Sequence, residues 1–432
     1  MTEIRRLDIK ALSRVEGEGA LRVRVRGDTV EIAALDIYEP PRFFEKLVVG
    51  REIREVPDIV SRICGICPVS YQMAACHALE RALGVTITPE IRVLRRLLQC
   101  GEWLQSHALH VHLLHAPDFL GFESGFTMAA THPRLVEDGL RLKAVGGRIM
   151  EVVGGRAVHP VNVAVGGFHR APDAAAIRGL VPDLEWALGR SLALVAETAA
   201  FGFPDFARPA EWVALAHPDE YPINEGRIIS SAGLDIDAAD FERHFVERQV
   251  PHSTALHCHL QPGDRTYLVG PIARINLHRE RLPEEARRAA DAAGLEHPVV
   301  NPHRSIVVRC VEMAAACAEA LAIARAALAD AAPCRVAWTP REATGCHAVE
   351  APRGLLWHRY AIGTDGLVAA AAIVPPTSQN QARIEDDLRA ILPAALALDD
   401  AAATAACERV IRSHDPCISC ATHFLRLEVD RP

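Results

Sequence analysis

The residues with the clearest chemical potential are two C-x-x-C pairs, Cys64/Cys67 and Cys417/Cys420, one near each end of a chain of 432 residues. Thiolates are soft ligands, and two intervening residues let both sulfurs of a pair reach one metal ion. The pairs stand 353 residues apart, whereas a local zinc knuckle closes within tens of residues, so a site made from both must be assembled by the fold. Spacing alone leaves a structural S₄ zinc site and a catalytic metal centre evenly matched. A redox dithiol would need a thioredoxin-like strand before its C-x-x-C, and none is apparent. Twelve cysteines in a chain of this length are too sparse for a disulfide scaffold. The solitary ones, Cys76, Cys100 and Cys258 among them, read as buried small hydrophobes.

The flanking residues break that tie. The first pair stands as Arg62-Ile-Cys64-Gly-Ile-Cys67-Pro68 and the second as Asp415-Pro-Cys417-Ile-Ser-Cys420-Ala-Thr-His423. Further motifs are Ser13-Arg-Val-Glu16-Gly17, Phe43-Phe-Glu45, Gly154-Gly-Arg156, His159-Pro160, Glu350-Ala-Pro-Arg353-Gly354 and Val374-Pro-Pro-Thr377. Together they resemble the large subunit of nickel–iron hydrogenases, whose signatures are RxCGxC near the N-terminus and DPCxxCxxH at the C-terminus. The matches run from residue 13 to residue 423, nearly the whole chain. The resemblance implies an α+β, predominantly α fold, with a long-helix core and peripheral β-hairpins. It further implies a single large-subunit domain over residues 1–423. Residues 424–432 would be a C-terminal tail removed by a maturation peptidase after nickel insertion, although their alternation alone reads as a closing strand.

By this resemblance all four thiolates bind nickel, Cys67 and Cys420 also bridge to an iron carrying carbon monoxide and cyanide, and Cys64 and Cys417 are terminal. Glu16 is the proton acceptor beside Cys417. Arg353, which does not readily deprotonate, orients a cyanide ligand, and Thr377 donates a hydrogen bond to another. Glu45, His423 and the backbone carbonyl of Ile373 hold a magnesium ion. Local pattern alone reads these residues more plainly: Glu16 as a solvated charge beside Glu18, Arg353 as a loop arginine, Thr377 as a turn threonine, His423 as a zinc ligand. Two positions depart from the family. Tyr71 stands where many members have a histidine, and Ser106 where many have an aspartate near Arg353. His107, His110, His112 and His115 read as core or surface histidines rather than ligands.

The chain has neither the spare paired cysteines for a row of iron–sulfur clusters nor a strand–GxGxxG–helix fingerprint. Clusters and flavin therefore fall to partners: an iron–sulfur small subunit, together with flavin/NAD(P)-binding subunits, while nickel-insertion chaperones act in maturation. The motifs, Ile373-Val-Pro-Pro-Thr-Ser-Gln-Asn380 included, look most like the cytoplasmic, NAD(P)-linked, sulfhydrogenase-type group. The implied activity is reversible heterolytic oxidation of H₂. The rival reading is a zinc-stabilised structural or interaction subunit. A related non-catalytic member of a respiratory complex would lack the four cysteines.

The elements that must position these residues are legible in part. Residues 20–37 alternate, with Leu21, Val23 and Val25 on one face and Arg22, Arg24 and Arg26 on the other, predicting a hairpin turned at Gly27-Asp28. Helices are expected over 70–83, ended by Gly84; over 91–115, stopping before Pro117; and over 173–200, 307–332 and 383–411. The glycine-rich stretch 130–170 reads as loops, 236–305 as a surface insertion with short strands, and 364–385 as non-helical. No composition break cuts the chain into domains. Half the residues are apolar, a quarter charged, and the net charge is −8. That balance fits a soluble globular protein and argues against a nucleic-acid stripe or an anionic membrane surface. Residues 1–14 have no signal-like apolar core, and the longest apolar run, 367–374, is far short of a membrane span.

Overall fold

Residues 4–27, 29–326 and 334–422 are described in the computed structural model; Asp28, the end of 307–332, His423 and the tail 424–432 lie outside them. The expected hairpin forms: Gly19–Arg26 pairs antiparallel with Thr29–Ile37, and Ile4–Ile9, unforeseen, joins the other edge of Gly19–Arg26. Leu21, Val23 and Val25 face inward against Ile384, Leu388, Val410 and Ile411, while Arg22 and Arg24 face out and pair with Asp36 and Glu31. Strand alternation thus docks this sheet on two C-terminal helices.

The body is a bundle of long helices. Pro68–Leu83 begins with its proline at the first position, where no amide donor is needed, and ends at Gly84 with φ 69°. Pro89–Leu109 packs against Ser305–Arg325 and against Pro133–Gly154. The last helix corrects the loop reading over 133–154, while 155–170 is irregular as expected apart from the short strands Val163–Ala164 and Gly167–Phe168. The glycines of that helix are contact residues: a Cβ on Gly146 would lie 2.5 Å from the Gly101 carbonyl oxygen and 2.7 Å from the Gln105 nitrogen. Small residues here let two backbones approach, and composition alone cannot tell that from a loop.

Other boundaries shift for local reasons. The 91–115 helix continues past Leu109 as a π-helical turn, His110–His115, and Pro117 opens the next short helix rather than blocking it. The 173–200 stretch divides into Ala174–Arg178 and Val181–Ala199. Pro376 starts a helix, Pro376–Ala395, and so 376–385 is helical; a second helix, Asp400–His414, starts where Asp399 accepts a hydrogen bond from the Ala402 amide at 2.8 Å. The apolar run 367–374 is the third strand of an unforeseen sheet, Ala343–Ala351, Gly354–Ile362 and Val368–Val374. Within 236–305 the short strands exist, Phe245–Gln249 with Leu256–Leu260, but the stretch is no surface insertion, since Pro271–His278 carries the fully buried Arg274 into the centre. The main apolar core contains Cys64, Cys67, Cys417 and Cys420 themselves.

Candidate metal centre

Two chain ends meet at the four thiols. Cys67 caps the start of Pro68–Leu83, and Cys417 caps the start of the short helix Ile418–Ala421. Asp415 leaves Asp400–His414 in a left-handed conformation, φ 52°, which turns Pro416 and Cys417 inward. The Sγ atoms of Cys64 and Cys417 lie 3.4 Å apart, those of Cys67 and Cys420 3.6 Å, and those of Cys417 and Cys420 2.9 Å. All four fall within 4.8 Å of one another and are buried. Burial pushes the Cys417 thiol up, whereas hydrogen bonds from the other three, Cys417 first, hold Cys64 below the ordinary thiol range. Four convergent soft donors shielded from water suit a thiophilic metal.

Glu16 is on this centre rather than in solvent. Its Oε2 lies 3.0 Å from Cys417 Sγ and accepts from the Ser419 amide at 3.1 Å; its carbonyl accepts from the Ile418 amide at 2.9 Å. Burial, then the Cys64 charge, raises its carboxyl above the usual range despite those hydrogen bonds. The next residue must be glycine: Gly17 has φ 88°, and a Cβ there would lie 2.7 Å from the Ile418 Cβ. Arg14 anchors the segment, bonding the Leu114 carbonyl and the Asp118 carboxylate at 2.7 and 2.6 Å.

Arg353 is equally central. It is 2 % exposed, donates from Nε to the Asp415 carbonyl at 3.0 Å and from Nη2 to its carboxylate at 3.2 Å, and reaches Ser106 Oγ at 3.4 Å. Burial opposes its charge, but Asp415 and the thiols Cys417, Cys67 and Cys64 hold it well above its ordinary value. Thr377 Oγ1 accepts from the Cys417 amide at 2.9 Å. Tyr71 is buried, and burial, then the charges of Cys420 and Cys67, pushes its hydroxyl well above its ordinary range, so this departure from the family is felt at the thiols.

Glu45, on the short helix Phe44–Leu47 packed against the strand Val368–Val374, accepts at Oε1 from the Ile373 amide at 2.7 Å. Two of the three expected magnesium ligands are therefore neighbours, and His423 lies outside the described residues. The four histidines of 107–115 are all buried, as core histidines. Of the solitary cysteines only Cys334 is partly exposed.

Three groups carry weight that sequence reasoning did not assign. Asp415 stands in the sequence only as a motif letter, yet it holds Arg353. Glu102 accepts from the Val69 and Ser70 amides at 2.6 and 3.1 Å and closes the start of the helix after Cys67; burial pushes its carboxyl up to about 8. Arg274 joins Glu312 at 2.7 Å and Glu350 at 2.8 Å, and bonds the Ala351 and Pro352 carbonyls just before Arg353. The charged types are visible in sequence, but their meeting is a tertiary event.

Comparison with known proteins gives concordant matches over most of the chain. A family model described as nickel-dependent hydrogenase matches residues 42–133 and 265–423. The chain is 30 % identical to the alpha subunit of sulfhydrogenase 1 of Pyrococcus furiosus over 98 % of both chains. It is 28 % identical to a chain of the F420-non-reducing hydrogenase of Methanothermobacter marburgensis, over 97 % of this chain and 95 % of the relative. Among solved structures, an NAD⁺-reducing [NiFe]-hydrogenase in the H₂-reduced state superposes with a TM-score of 0.88 at 29 % identity, covering 98 % of this chain and all of the other.

Proposed function

The chain belongs to the nickel-dependent hydrogenase family and is the large, catalytic subunit of a nickel–iron hydrogenase, an oxidoreductase acting on H₂; on that premise we propose which residues carry the reaction. Cys64, Cys67, Cys417 and Cys420 would hold nickel, and Cys67 and Cys420 would also hold an iron carrying carbon monoxide and cyanide. When bound, the two metals supply the Lewis-acid and redox chemistry by which H₂ is polarised and two electrons depart. Cys417 Sγ takes the proton and passes it to Glu16 Oε2, 3.0 Å away. A carboxyl raised by burial is the better proton acceptor for this step.

Arg353 stays charged, is fixed from behind by Asp415, and would orient a cyanide ligand of the iron. Thr377 uses an oxygen lone pair on the Cys417 amide, and its own O–H would donate to another cyanide. Glu45, the Ile373 carbonyl and His423 would hold Mg²⁺. Electrons pass to an iron–sulfur small subunit, then to flavin/NAD(P)-binding subunits, a reading supported by likeness to the NAD⁺-reducing enzyme and to the sulfhydrogenase chains. No helix among the described residues is long and apolar enough to cross a membrane; we place the complex in the cytoplasm. Nickel-insertion chaperones and a peptidase mature the chain, and an intact mass ending at His423 in active enzyme is the expected sign of cleavage.

The observation that carries this reading is the convergence of four buried thiols from opposite chain ends, with a carboxylate on one of them. Infrared spectroscopy of the mature complex tests it. Metal-bound carbon monoxide and cyanide stretches that shift under H₂ are expected. Zinc in place of nickel and iron, with no such bands, would return the thiols to a structural role.

A further inference from the structure

Apart from the thiols, His252, His257 and Glu385 are the one other group of metal-capable side chains among the described residues, each offering a donor atom within 4.8 Å of the other two. They come from three places in the fold. His252 lies in the 250–255 turn, His257 on the strand Leu256–Leu260, and Glu385 on the helix Pro376–Ala395 packed against that strand. His252 Nε2 is 2.7 Å from Glu385 Oε1. The two imidazoles meet edge to face, centroids 5.7 Å apart. Glu385 is held in place by the Leu35 amide, which donates to Oε1 at 3.0 Å.

A plain hydrogen-bonded cluster explains His252 and Glu385 but not His257. That ring is 3 % exposed, and its Nε2 is sealed from solvent without a hydrogen-bond partner among the described residues. Other buried histidines, His107 and His112 among them, also keep one ring nitrogen without a partner among the described residues; His257 differs in converging with two further metal-capable donors. Burial, then the charges of His252, His259 and Arg389, holds His257 down to about 3. The His252 side chain, 22 % exposed, leaves one flank of the cluster open to water. The competing cation is Arg389, 3.5 Å from Glu385 Oε2, and its half-exposed side chain is able to swing away.

We propose that His252, His257 and Glu385 form a second metal site, taking a zinc-type divalent cation with water at the open position. Two imidazoles, one carboxylate and a solvent-facing fourth position are a donor set that zinc accepts. Bound there, the ion clasps the helix that carries Thr377 to the hairpin Phe245–Gln249/Leu256–Leu260. The site shares no residue with the thiol centre and does not depend on the roles assigned there.

The test uses the mature complex with its partner subunits, incubated with zinc, desalted and assayed for metals by mass spectrometry, with zinc-edge X-ray absorption for the ligands. About one zinc per large subunit is expected, with a nitrogen/oxygen first shell. His252→Ala should bring zinc to background while nickel, iron and H₂ uptake stay at wild-type levels; Glu385→Gln provides a second variant that keeps the side-chain volume. Failure of the wild-type complex to retain zinc would overturn the proposal. So would zinc that persists undiminished in both variants, or a sulfur first shell, which would place it among the cysteines.

Discussion

Glu16 and Arg353 face the same four thiols but differ in what they can do. Glu16 can exchange a proton with Cys417 at 3.0 Å, whereas Arg353 is held charged and offers only hydrogen bonds and field. Glu16→Gln keeps size and polarity but cannot accept the proton. It should retain full nickel and iron and lose roughly 10²-fold or more of H₂ uptake and H/D exchange, the usual scale for a general base. Exchange at the wild-type rate would remove Glu16 from the proton path. Arg353→Lys keeps the charge but loses the planar fork that grips both the carbonyl and the carboxylate of Asp415. Metal content should be unchanged and turnover should fall steeply; undiminished turnover in a metal-replete variant would refute its placement.

At the scale of elements, the helix Pro133–Gly154 lies so close to Pro89–Leu109 that the contact is made by glycines. Gly146 has no room for a methyl group, with the Gly101 carbonyl oxygen 2.5 Å from where a Cβ would stand. Gly189, in the exposed middle of Val181–Ala199, has nothing within 4 Å. The same substitution should therefore have opposite signs. Gly146→Ala should cost about 1–3 kcal/mol through overpacking, while Gly189→Ala should gain about 0.5–1 kcal/mol through helix propensity. Thermal midpoints of the two purified variants decide it, and equal shifts would mean the helices can slide apart at no cost. Glycine reads as loop in the sequence because composition registers the missing side chain but not the neighbour that requires it.

For the whole molecule, the buried histidines set an acid limit. His107, His112, His303 and His347 are all depressed to about 4, with burial the first cause in each. The unfolded chain, with histidines near 6.5, binds more protons than the folded one between those values, so stability rises with pH across that window. It should be level above pH about 6.5, fall as pH drops towards 4, and stop falling from this source below that, each unit of depression weighing about 1.4 kcal/mol. The thermal midpoint of the complex measured at pH 7, 6, 5 and 4 checks the sign, and a midpoint that held steady to pH 4 would contradict it.

Sequence by itself determined the candidate metal ligands, the N-terminal hairpin and the proline- and glycine-marked ends of the helix Pro68–Leu83. These are written in contiguous residues: a C-x-x-C pair, a period of two, a cap. The family motifs also named Glu16, Arg353 and Thr377, though local pattern alone reads each as an ordinary surface or loop residue. Only the tertiary structure decided that Asp415 grips Arg353, that Arg274 ties Glu312 to Glu350 beneath it, and that His252, His257 and Glu385 meet. Each of these joins side chains from separate elements, and a charge or an imidazole looks the same in sequence whether it ends in water or against a partner. Burial makes the difference: it leaves a polar group needing a partner, and packing of the helices and sheets chooses which one it finds.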